Sequence, residues 1–151
     1  MNSGTIQTVS SVASTVLVAI ALLYAGAQVR EAKVSRRMDL LLTFHDRYHQ
    51  EELRYFRFKL VNGQVGSLDQ LSPEDQRQLR SLIDELNFLA LLVKNDLLDL
   101  QTVISFFYYS PPRVWEKAQA YIQSERATSP TYAQELERLV GHYISAGLYI
   151  P

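Results

Sequence analysis

Apolar residues follow two different rules along this chain. From Val12 to Val29 they run almost without a break, and from Leu40 onward they return at the spacings of three and four that place side chains on one face of a helix. The first 29 residues carry no charged side chain, and Arg30, Lys33, Arg36 and Arg37 follow at once. At about 1.5 Å per helical residue, the apolar run approaches the roughly 30 Å of a bilayer core once Ile6 and Val9 are counted. The pattern predicts a single transmembrane helix over residues 1–37, with its basic edge on the cytoplasmic side and the N-terminus outside. A cleavable signal competes with this, because Ala25-Gly26-Ala27 has a small-x-small form. The charges argue against cleavage, since they follow the apolar run instead of preceding it. Arg30, Lys33 and Arg37 share one helical side, where anionic headgroups would favour them, and Ala21 and Ala25 form a small-xxx-small pair.

The second regime, residues 38–151, reads as helices throughout. No Gly or Pro occurs from Glu31 to Leu60, and Leu42, His45, His49, Leu53, Phe56 and Leu60 form one stripe beside a second of Leu41, Phe44, Tyr48 and Tyr55. An unbroken helix leaving the anchor is the expectation. Asn62-Gly63 and Gly66 mark a turn. Ser72-Pro73-Glu74-Asp75 is a helix start with cap, first-turn proline and acids at the positive dipole end. Leu79, Leu82, Ile83, Leu86, Leu89, Ala90 and Val93 continue it, and Phe88, Leu91 and Leu92 make it apolar nearly all round, as in a helix enclosed by others. Asn87 lies inside that stretch and needs hydrogen-bond partners.

Asn95 is expected to end this helix in a left-handed cap, and Asp99 to cap a short helix through Tyr108. Ser110-Pro111-Pro112 should start the next, with Val114, Trp115, Ala118, Tyr121 and Ile122 facing inward. A last helix is predicted from Ser129-Pro130, buried through Tyr132, Ala133, Leu136, Leu139, Val140, Tyr143 and Ile144 and stopped at Gly147. No sustained β-alternation appears. The predicted fold is therefore all-α: the transmembrane helix continuing into a cytosolic bundle of about five helices.

Composition narrows the functional classes. The formal net charge is −1 over 151 residues, so there is no general basic field for nucleic acid. Cysteine is absent, which removes thiol catalysis and disulfides.

The anchor with its basic edge, Ile83-Asp84-Glu85-Leu86-Asn87-Phe88-Leu89-Ala90 followed by Val93 and Leu97-Leu98-Asp99, and Val114-Trp115-Glu116 before the Tyr132 helix resemble a bacterial family of small single-pass membrane-anchored helical proteins, classed as a domain of unknown function. The resemblance implies a fold and a location at the bacterial inner membrane, and it transfers no catalytic residue. It also implies a glycine near the turn where this chain has Asn95-Asp96.

Three groups of side chains are candidates for chemistry. His45 and His49, one helical turn apart beside Asp46 and Glu52, have a spacing able to present two imidazoles to a metal. Aspartate at 46 and arginine at 47 remove the zincin pattern, and packing at the border of a buried face is the simpler role. Asp84 with Glu85, and Asp96 with Asp99, read as solvated, turn and cap residues before they read as acid–base pairs. Phe106, Phe107, Tyr108 and Tyr109 are consecutive and cannot all face one core, which leaves Tyr108 and Tyr109 as partner-binding candidates. The reading is a membrane-tethered, non-enzymatic interaction module, a scaffold or adaptor that binds the bilayer and another protein or itself, without cofactor, metal or nucleic acid. The alternative is a metal- or ligand-responsive membrane sensor built on His45 and His49.

Overall fold

The computed structural model of the chain describes residues 3–66 and 71–149, with side chains from Leu17 onward apart from residue 19. Among the described residues there are six α-helices: α1 Ser3–Tyr48, α2 Glu51–Val61, α3 Pro73–Lys94, α4 Leu100–Phe107, α5 Ser110–Arg126 and α6 Gln134–Ser145. The all-α expectation holds for them. Two units separate at Leu40 and Leu41.

The first unit lies on α1 and corrects the predicted anchor. No helix among the described residues is long and apolar enough to cross a membrane. This overturns the transmembrane helix and, with it, the single-pass placement in the inner membrane with the N-terminus outside. Arg30 ends the apolar run, and the residues before Val16 are rich in Ser and Thr, which shortens its strongly apolar length. Gly26 and Gln28 dilute even that length. The side chains of Ile6, Val9 and Val12 to Val16, on which the longer count relied, lie outside the described residues.

In the second unit α3 is central and packs against α2, α5 and α6. Leu79, Leu82, Ile83, Leu86 and Leu89 are fully enclosed, and they meet Val114, Ala118 and Ile122 of α5 and Leu136, Leu139 and Tyr143 of α6 at the same depth. Phe88 and Leu91 are exposed, so α3 is covered on three sides rather than all round. Its start follows the expected chemistry, with Ser72 accepting a hydrogen bond from the Asp75 amide at 3.0 Å and Pro73 in the first turn.

The helix predicted to run unbroken to Leu60 stops at Tyr48 and restarts at Glu51. The buried positions explain why. Leu41, Phe44 and Tyr48 are buried, and so are Leu53, Phe56 and Leu60, but the step from Tyr48 to Leu53 is five residues. On a continuous helix five residues turn through about 500°, which would put the two triplets roughly 140° apart. Gln50 adopts an extended conformation (φ −51°, ψ 139°) and restores the phase. Leu42, from the other stripe, is exposed.

Helix ends use positive-φ residues. Gly63 (φ 68°), Asp96 (φ 56°) and Gly147 (φ 67°) each follow a helix, and each ending carries the paired backbone hydrogen bonds of a Schellman motif, as in Leu97 N–H to Leu92 O and Asp96 N–H to Val93 O. The left-handed residue after α3 is thus Asp96, one position later than expected. Asn95 stays at φ −92° and donates its side-chain amide to Leu91 O at 2.8 Å.

The last helix begins at Gln134, not at Ser129-Pro130, because residues 130–133 form a turn that ends in Ala133 at φ 55°. Ala133 has no side chain to cap with. The cap comes from α3: Asn87 Oδ1 accepts the amides of Glu135 at 3.1 Å and Leu136 at 3.0 Å. The enclosed amide that needed partners therefore meets the orphan donors of another helix.

Asn87→Ala is expected to lower unfolding free energy by about 1–3 kcal/mol, the cost of losing a cap and leaving an enclosed N–H unpaired, whereas Asn87→Asp keeps the acceptor and should lose less. Urea titration of both variants checks this. Leu86→Asp should unfold the second unit, since an unpaired charge there costs several kcal/mol against a total of about 5–15; retention of a native circular-dichroism melt would refute the central position of α3.

Candidate interaction site

The site grows from the corner where α1 ends. Tyr48 is 1% exposed, and its ring stacks on Phe44 at 5.6 Å and meets the edge of Phe107 at 5.4 Å and 89°. Its hydroxyl shares a 2.6 Å hydrogen bond with Ser110 Oγ. Arg57 of α2 lies over the ring, its guanidinium carbon 3.9 Å from the centroid, and donates to Tyr48 O at 2.9 Å. One tyrosine thus joins the end of α1, α2, the end of α4 and the start of α5. Burial pushes its phenol above the ordinary range, with the Arg57 charge opposing.

Between α4 and α5 the chain reverses through Tyr108 and Tyr109. Their dihedrals, φ 46° and ψ −129° then φ −86° and ψ 8°, are those of the two central positions of a type II′ turn. Glycine normally occupies the first of these, and a tyrosine there holds on the order of 1–3 kcal/mol of strain. Phe107 before the turn is buried, and Pro111 and Pro112 after it are buried in the first turn of α5. The turn itself faces solvent, with Tyr108 69% and Tyr109 51% exposed. Beside it, on α2, Tyr55 and Phe58 are exposed as well. Between α2 and the turn runs an open groove lined by Arg54, Arg57, Phe58, Tyr108, Tyr109 and Arg113.

The histidine pair is brought together at the end of α1. The rings of His45 and His49 lie 4.2 Å apart, and His45 Nδ1 is 3.8 Å from Asp46 Oδ1. Among the described residues no group of three or more His, Cys, Asp or Glu side chains converges to hold a metal ion. His45 is half-buried and His49 exposed. The His49 proton is held less tightly than in a free imidazole, first through burial and then through the charges of His45, Arg57 and Arg54.

The carboxylate candidates separate. Asp96 is the left-handed turn residue, and Asp99 caps α4 by accepting the Thr102 amide at 2.9 Å. Asp84 faces Arg80, which is itself ion-paired to Glu125. Burial raises the Asp84 carboxyl despite Arg80 and raises the Tyr132 phenol strongly, the Asp84 charge adding to the latter. With Tyr121, whose ring is 6.4 Å from that of Tyr132, these side chains tie α3 and α5 to the 130–133 turn. Arg126 completes that tie by donating to Tyr132 O at 2.9 Å and to Glu137 at 2.7 Å. Its guanidinium carbon lies 5.7 Å from the centroid of Trp115, which is half-buried instead of forming the inner face with Val114. Arg30, Lys33, Arg36 and Arg37 lie exposed on α1 in the first unit.

A family model matches residues 10–143. The chain belongs to the family described as a domain of unknown function, DUF4760. No curated protein and no solved structure matches it. In this DUF4760 chain the groove arginines escaped the sequence reading. Arg54 and Arg113 sit on different helices, and only Tyr55 and Phe58, outside the buried phase of α2, hinted at a second wall.

Tyr48→Phe should cost about 1 kcal/mol in a thermal melt through the lost hydrogen bond to Ser110. His49 carries a pH dependence of known sign. Its folded value lies below the unfolded value of about 6.5, so as pH falls through that point the unfolded chain binds the proton first and stability declines, levelling below the folded value. His49→Asn should flatten this part of the slope in urea midpoints measured between about pH 7 and pH 5.

Proposed function

We propose that this chain is a non-enzymatic helical interaction module, a scaffold or adaptor that binds another protein or a second copy of itself through the Tyr108–Tyr109 turn. The observation that carries the reading is the pairing of strain with exposure: Tyr108 occupies a glycine-favouring conformation at φ 46° while its side chain is 69% exposed. A turn under selection for stability alone would place glycine there. Tyrosine supplies a large contact area with few rotatable bonds, and such groups anchor interfaces. Tyr55 and Phe58 widen the patch, and the buried Tyr48 holds Arg57, Phe107 and Ser110, which line the groove.

The two roles of Tyr108 can be separated. Tyr108→Gly should raise the thermal midpoint, because relief of roughly 1–3 kcal/mol of strain exceeds the 0.4–1 kcal/mol that glycine adds to unfolded-chain freedom. The same substitution, and Tyr109→Ala, should weaken association at least about tenfold, as loss of an interface anchor does. Association is measured by sedimentation of the purified chain for self-contact and by titration with a partner isolated through site-specific crosslinking at the turn. Wild-type association by both variants, or early melting of Tyr109→Ala, would refute the reading.

A further inference from the structure

Most cationic side chains of the second unit outside the groove, though not Arg47, are ion-paired. Arg77, Arg80, Arg126 and Arg138 each hold a glutamate, respectively Glu74, Glu125, Glu137 and Glu135. Lys59 and Lys94 likewise face Asp75 and Glu135. The groove between α2 and the α4–α5 turn carries three guanidinium groups, from Arg54, Arg57 and Arg113, and no carboxylate among its lining residues. Arg57 commits one N–H to Tyr48 O and is fixed over the Tyr48 ring. The Arg54 and Arg113 side chains make no hydrogen bond or ion pair among the described residues. Glu116 acts on Arg113 electrostatically without pairing with it, and the groove holds a local excess of positive charge set among exposed aromatic rings.

We propose that the groove binds a short acidic linear segment of a partner protein, its carboxylates meeting Arg54, Arg57 and Arg113 and an apolar side chain lying across Phe58 and Tyr108. This rests on the reading of the chain as an interaction module and names the chemistry of its partner. The guanidinium fork matches a carboxylate in two parallel hydrogen bonds, and the aromatic walls supply the apolar contact that a purely ionic surface lacks. The length of the occupant is bounded. The hollow that adjoins the groove along α2 is lined by Glu51 and Glu52 beside Arg54, Tyr55 and Phe58, so negative charge begins beside Arg54 at that end of the groove. A continuous polyanion such as a nucleic-acid strand would run into those glutamates, whereas a short acidic peptide fits between them and the turn.

The test uses the full chain and fluorescence anisotropy with three labelled probes: a peptide alternating Asp or Glu with Leu or Phe, the same peptide with Asn and Gln for the acids, and single-stranded oligodeoxythymidine. The acidic peptide should bind, the neutral one at least about tenfold more weakly, and added salt should weaken the acidic complex. Arg54→Gln and Arg113→Gln should each reduce acidic-peptide binding about three- to tenfold, in line with loss of a partly exposed charge-assisted contact, with unchanged melting because neither holds another element. Equal binding of the two peptides, tighter binding of the oligonucleotide, or no binding of the acidic peptide overturns the proposal. If the arginine variants leave association with the crosslinked native partner intact while Tyr109→Ala abolishes it, the acidic-segment inference fails and the interaction module stands. If the tyrosine variants also leave it intact, the module reading itself fails.

Discussion

The Tyr48 ring lies where four helices meet, and its place there depends on the break that follows it. Were α1 to continue, Leu53, Phe56 and Leu60 would point away from the core that Leu41, Phe44 and Tyr48 enter. Halting at Tyr48 leaves a carbonyl without a helical partner, and Arg57 supplies the donor from α2 while covering the ring. The hydroxyl on the far side of the same ring engages Ser110, the first residue of α5. Position and direction of α2, of the α4 terminus and of α5 are all referred to one side chain, so the groove and turn above it inherit a rigid base.

Rigidity below makes strain above tolerable. Phe107 is buried on one side of the turn and Pro111 and Pro112 on the other, so the two ends are held and the reversal must be made by Tyr108 and Tyr109 whatever its local cost. Both rings are then directed outward by the backbone instead of by side-chain choice. Ion pairing is distributed in the same spirit: the salt bridges along α3, α5 and α6 are exposed and individually worth little, and their contribution is to neutralise those faces. In the groove, Arg54 and Arg113 have no such ion pair among the described residues.

Local chemistry made much of this legible. Ser72-Pro73, Asp99, Ser110-Pro111-Pro112 and Gly147 act where their side chains or their φ preferences require, and four successive aromatics had to leave some rings outside. The break at His49–Gln50 was present as a five-residue step, but Leu42, His45, His49 and Leu53 offered an uninterrupted stripe that concealed it. Asn95 and Asp96 both tolerate left-handed geometry, so the residue chosen depends on how far α3 extends. The apolar run near the N-terminus suggested a span, yet no helix among the described residues is long and apolar enough to cross a membrane. The cap of α6 was invisible: Ser129-Pro130 has the local form of a helix start, while the group that does the capping, Asn87, is brought there only by tertiary packing. The groove was hidden for the same reason, since Arg54 and Arg113 become neighbours only after α2 and α5 dock.

That capping arrangement also governs how the bundle comes apart. A helix of 12 residues is marginal on its own in water, and α6 lacks a cap from its own side chains because Ala133 precedes it. Amides of its first turn find their acceptor against α3, and the turn leading into it is tied to α5 by Arg126, which donates to Tyr132 O. Undocking α6 therefore removes the reason for it to be helical, so separation and melting are a single event. The segment from residue 130 to Ser145 should therefore open as one cooperative unit whose amides exchange with solvent together, at a free energy set by its contacts with α3 and α5 instead of by helix propensity.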